Sequence, residues 1–122
     1  MSITFIHGRL ANTVILYCLA LSLWAFWRFF RKQKVDSSYW GALVIGEILI
    51  LIQGVLGAYM WLFTALRPAR GLHLLYGIVS FLTIPAVYAF TRGRDDRRDM
   101  LIYGASMLFL FGISLRALTT GG

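Results

Sequence analysis

The stretch SSYWGALVIGEILILIQGVLGAYMWLFTAL, residues 37–66, decides the fold. Asp36 and Arg67 bound it, and Glu47 is its sole charged side chain. A helix crossing a hydrocarbon core of about 30 Å needs about 20 mostly apolar residues. A membrane barrel would instead need alternating segments of about ten residues. The stretch shows no such alternation and reads as one transmembrane helix. Three more charge-free runs flank it: 10–27 between Arg9 and Arg28, 71–91 between Arg70 and Arg92, and 100–115 between Asp99 and Arg116. The uncharged tail 117–122 lengthens the last run. The expected spans are 8–29, 39–64, 71–91 and 100–119, in a single membrane domain covering 1–122. Short connections predict an antiparallel up-down arrangement. The expected fold is therefore all-α, an integral membrane four-helix bundle.

Composition agrees. Of 122 residues, 59% are hydrophobic and 14% charged, and the mean hydropathy is +0.73. Soluble domains carry about 25% charged residues. A soluble globular domain, a disordered segment, a basic nucleic-acid binder and a disulfide-stapled fold are all disfavoured. The single cysteine, Cys18, lies in an apolar run and reads as a small buried hydrophobe. The first span could pass for a signal peptide, but no clear small-x-small site precedes the basic stretch 28–34, so it reads as a retained helix.

The net charge of +7 collects at span ends. Arg28, Arg31, Lys32, Lys34, Arg92, Arg94, Arg97 and Arg98 lie on one side, and Arg9, Arg67, Arg70 and Arg116 on the other. By the positive-inside rule the first and third loops face the cytoplasm. Both termini are then expected outside, in a bacterial cytoplasmic membrane. The basic excess follows from topology and the anionic inner leaflet, and requires no nucleic acid.

The chain has two histidines, His7 and His73. Spans one and three run in the same direction, so both fall near the outer surface at similar depth. Neutral imidazole is a good axial ligand for haem iron, and facing helices of a bundle can hold a cofactor between them. Ala11 and Gly77 lie one turn below the two histidines, and span two carries Gly54, Gly57 and Ala58 at about the same level. Small residues leave room for a flat macrocycle. Arg9, Arg67, Arg70 and Arg116 could pair with carboxylate propionates. Each feature also has a plainer explanation. Histidines settle at interfaces, small residues pack helices closely, and arginines meet lipid headgroups.

Other polar groups are fewer. A carboxyl such as Glu47 is costly in mid-membrane and should face the bundle or a water path, in a proton-transfer role, at a quinone site or in an interhelical hydrogen bond. By the 3.6-residue period, Glu47, Gly54 and Ala58 share a face expected to point inward, with Gln53 on another. Trp24, Trp27, Tyr39, Trp40, Tyr88 and Phe90 read as an aromatic belt at the inner interface. Met100 and Met107 read as packing residues.

The residues 5–11 (FIHGRLA), 53–57 (QGVLG) and 73–77 (HLLYG) together resemble one half of haem A synthase, an eight-span protein built from two four-helix halves. The resemblance covers roughly residues 5 to 80. It implies that His7 and His73 are an axial pair and that the stretch from Gln53 to Gly57 packs beside the haem. Arg9 departs from the family spacing, because Gly8 separates it from His7. The family's catalytic half has Glu three residues before its first histidine, where this chain has Thr4. The chain is thus more similar to the cofactor-binding half. A looser similarity links it to cytochrome b561-type bundles.

The expected function is binding of haem b by two histidines, for electron transfer within or beside a respiratory or photosynthetic complex. The expected partners are the lipid bilayer, other membrane subunits or a homo-oligomer, with quinol as a candidate. The alternatives are a non-catalytic accessory subunit, binding bacteriochlorophyll or no cofactor, and a half-size haem A synthase. A small channel or transporter built on Glu47 ranks last. An independent enzyme is not the favoured reading.

Overall fold

A computed structural model describes residues 3–64 and 72–121. They form four helices: α1 (Ile3–Phe30), α2 (Ser37–Phe63), α3 (Leu72–Thr91) and α4 (Arg97–Gly121). All four are long and apolar enough to cross a membrane, which marks the chain as an integral membrane protein. α1 packs on α2 and α4, and α3 packs on the same two helices. The diagonal pairs α1/α3 and α2/α4 make no close backbone approach. The result is an all-α four-helix bundle in which sequence neighbours are spatial neighbours.

The loops joining α1 to α2 and α3 to α4 close one end of the bundle. Asp36 caps α2, its Oδ1 accepting from Tyr39 N at 2.9 Å. Asp99 reaches back to the Asp96 amide at 3.1 Å, as a capping box does. Asp99 is fully buried and pairs with Arg94 at 3.6 Å. α1 and α3 both stop on a residue in the left-handed region, Lys32 at φ 57° and Arg92 at φ 54°. In each case the next amide bonds back to the final turn, Gln33 N to Arg28 O at 2.8 Å and Gly93 N to Tyr88 O at 3.1 Å. Val35 N donates to Asp95 O at 2.9 Å, and Arg97 Nε to Phe29 O at 2.8 Å, so the two loops hold each other.

The half of the bundle nearest these loops is densely packed. Cys18, Leu21 and Ala25 of α1 meet Tyr39 and Leu43 of α2 and Met100, Tyr103, Met107 and Leu110 of α4. α1 and α4 approach closely at Gly104, where a Cβ would lie 3.0 Å from the Phe26 ring and 3.2 Å from Ala25. There Ser22 Oγ donates to Gly104 O at 2.9 Å. Tyr39 Oη donates to Leu21 O at 2.9 Å and Tyr17 Oη to Ala42 O, which ties α1 to α2. In lipid, close van der Waals packing and such interhelical bonds carry association, because burial away from water adds little.

Cys18, Met100 and Met107 take the packing roles expected of them. The aromatic belt needs correction. Trp27, Tyr88 and Phe90 are exposed to the surroundings of the bundle. Tyr39 is instead fully buried, Trp24 stacks edge-on against it at 5.0 Å, and Trp40 packs on Tyr88 and Tyr103 at 5.7 and 5.5 Å. Residues at the same depth fall on different faces, and depth alone is visible in a hydropathy pattern.

The other half is open. No described residue within 3–13, 51–64, 72–83 or 111–118 is fully buried. The helices bury less of one another there than in the packed half.

Candidate cofactor site in the open half

His7 and His73 face one another across this open half. Their ring centroids lie 6.3 Å apart and their planes are inclined at 69°. Both rings are half-buried. They come from the diagonal helices α1 and α3, so the contact crosses the centre of the bundle.

α2 and α4 support the pair. Gln53 Nε2 donates to the His7 backbone carbonyl at 2.9 Å. Gly57 lies one turn further along α2, where a Cβ would stand 3.3 Å from His7 Cε1 and 3.9 Å from Nε2. Anything larger than glycine there would press on the ring. On the other side His73 Nδ1 donates to the Ala117 carbonyl of α4 at 3.0 Å. A carbonyl can only accept, so Nδ1 carries the proton of this bond. Ligating histidines are usually oriented in this way. His7 Nδ1 and Gln53 Oε1 are buried without a hydrogen-bond partner. Buried polar atoms of this kind call for a ligand, an ion or water.

Two imidazoles bound to one ion lie about 6 Å apart, allowing about 2 Å for each metal–nitrogen bond and about 1 Å from nitrogen to ring centre. The observed separation fits this value. Among the described residues no three His, Cys, Asp or Glu side chains converge on one point. A bare ion such as zinc takes four ligands, whereas a tetrapyrrole brings four nitrogens of its own and asks the protein for one or two. The donor set, two imidazoles with His7 Nδ1 unpaired, fits a tetrapyrrole.

The structure distributes the other expected site residues unevenly. Ala11 is half-buried one turn below His7. Gly54 and Gly77 face outward, and a Cβ on either would meet nothing within 4 Å. Arg9 is exposed, its guanidinium 5.9 Å from the Phe5 ring centre. Arg116 is also exposed. Arg67 and Arg70 lie outside the described residues.

The expected inward face of α2 is corrected as well. Its inward stripe is Tyr39, Leu43, Gly46, Ile50, Gln53 and Gly57. Gly54 and Ala58 lie on the outer side and Glu47 at the edge of the stripe. In a membrane helix apolar residues occupy every face, so the 3.6-residue period identifies which residues share a face without showing which face is internal. The Ala117 carbonyl had no signal in the sequence, because every residue carries a carbonyl and the α3–α4 register selects this one.

Comparison with protein-family models, curated proteins and solved structures found no match.

Proposed function

We propose that this chain binds haem b through His7 and His73 and serves electron transfer in the membrane, within or beside a respiratory or photosynthetic complex. The observation that carries this reading is the separation of the chain's two histidines, 6.3 Å across the centre of the loosely packed half. The resemblance to the cofactor-binding half of haem A synthase supports it. Haem, when bound, supplies a one-electron couple. Two axial histidines would leave no coordination site for dioxygen, which favours electron transfer over oxygen chemistry.

The chain's own residues have distinct parts in this reading. The Ala117 carbonyl orients the His73 ring. Gln53 anchors the His7 backbone, and Gly57 gives the His7 ring its space. The exposed Arg9 and Arg116 are placed to meet propionates or lipid headgroups at the membrane surface. A bacterial membrane, with both termini outside, remains part of the proposal on the strength of the charge asymmetry.

Oxidised and dithionite-reduced absorption spectra of the detergent-purified protein test it. Sharp b-type bands on reduction are expected. A colourless protein, expressed with haem in supply, would sink the reading and favour a cofactor-free accessory subunit. A bacteriochlorophyll spectrum would replace haem with a magnesium pigment, for which one histidine suffices.

A further inference from the structure

Glu47 has no part in the histidine site. The other four acidic residues, Asp36, Asp95, Asp96 and Asp99, lie in loops or helix caps. Glu47 lies ten residues past Ser37, the start of α2, about 15 Å along the helix at 1.5 Å per residue and so near the middle of the membrane. Both its carboxyl oxygens are buried, and neither has a hydrogen-bond partner.

Among the described residues the surroundings offer no countercharge. From α1, Tyr17 packs against the neighbouring Gly46, with its hydroxyl committed to Ala42 O, and Cys18 follows it in the core. The α2–α3 register is set by the contact of Trp40 with Tyr88 at 5.7 Å. Seven residues along two antiparallel helices from that contact, Glu47 comes level with Phe81. From α4 the titratable group on this side is Tyr103, against Trp40 two turns away. No Lys, Arg or His is among these groups. A charged carboxylate without a partner is far costlier here than a neutral acid.

α3 lacks one helical hydrogen bond at the same level. Pro85 lies inside α3 and has no N–H, so the Phe81 carbonyl lacks its usual helical donor. The acid and this carbonyl thus share one level of the α2–α3 seam, the least extensive of the four helix seams. Gly57, which lies beside the His7 ring, is ten residues further along α2, about 15 Å away.

From this we infer that Glu47 is an exchangeable proton-binding site within the membrane, opening along the α2–α3 seam. The carboxyl O–H bond breaks, water entering the seam accepts the proton, and the carboxylate is left. The reverse step restores the neutral acid. The site stands independently of haem binding.

Infrared spectra of the detergent-purified full chain, in H2O and D2O, test the inference. The wild type should show the carbonyl band of a protonated acid in apolar surroundings. The band should shift within minutes of transfer to D2O, persist in Glu47→Asp and vanish in Glu47→Gln. Absence of the band at neutral pH overturns the proposal. So does a band that resists deuterium for days, which marks a locked hydrogen bond. If Glu47→Gln fails to fold, a hydrophobic carbodiimide applied to the wild type decides the matter. It attacks protonated carboxyls in apolar settings, so mass spectrometry should find the adduct on Glu47, and an unmodified Glu47 counts against the site.

Discussion

The rings of His7 and His73 stand 6.3 Å apart on helices whose Cα atoms, among the described residues, nowhere approach within 8 Å. The two side chains bridge a gap that the backbones leave open. If they share a metal, neither is dispensable. His7→Ala and His73→Ala should each abolish the reduced b-type bands or convert them to a five-coordinate form. Equal loss in both variants is the signature of a shared ion. Loss in one alone would indicate a single-ligand pigment, and the reduced spectrum distinguishes these outcomes.

Gly57→Leu is expected to lower haem content strongly while leaving helicity intact. Even a Cβ would lie 3.3 Å from His7 Cε1, and the larger side chain must displace the ring. Gly54→Leu is the matched control, since nothing lies within 4 Å of a Cβ there. Haem-to-protein ratios with far-ultraviolet circular dichroism check both. Similar ratios in the two variants would remove Gly57 from the site.

Gln53→Leu should have a milder effect. It removes one interhelical bond, from Nε2 to His7 O. Such bonds in membrane proteins average about 0.6 kcal/mol, which corresponds to a roughly threefold weaker hold on the cofactor. Haem transfer to an apo-globin acceptor measures it. A change of a hundredfold or more would mean that Gln53 contacts the cofactor itself.

In the packed half, Ser22→Ala should cost about 0.6 kcal/mol, seen as a small drop in melting temperature. Gly104→Leu should be far worse. Its Cβ would already lie 3.0 Å from the Phe26 ring, and the rest of the side chain would wedge α1 from α4. Size-exclusion chromatography should show aggregation of this variant. A monodisperse, normally melting Gly104→Leu would mean that the α1–α4 seam is not the main support of the bundle.

The sequence by itself determined the class of fold. Long runs between charges specify helices, because lipid leaves a spanning backbone no other open way to satisfy its hydrogen bonds. It also singled out His7, His73, Gln53 and Gly57, since polar and special residues are conspicuous against so apolar a background. Helix facing and register were decided by the tertiary structure. It turned Gln53 inward and Gly54 outward, buried Tyr39 and set Trp40 against Tyr88 and Tyr103 where both read as belt residues, brought the Ala117 carbonyl to His73, and packed one half of the bundle while leaving the other open. The reason is physical. In a membrane both the lipid and the protein interior are apolar, so hydrophobicity places a helix in the bilayer but cannot orient it. Orientation comes from shape, from small residues such as Gly104 and from individual hydrogen bonds, and these exist only once the helices have met.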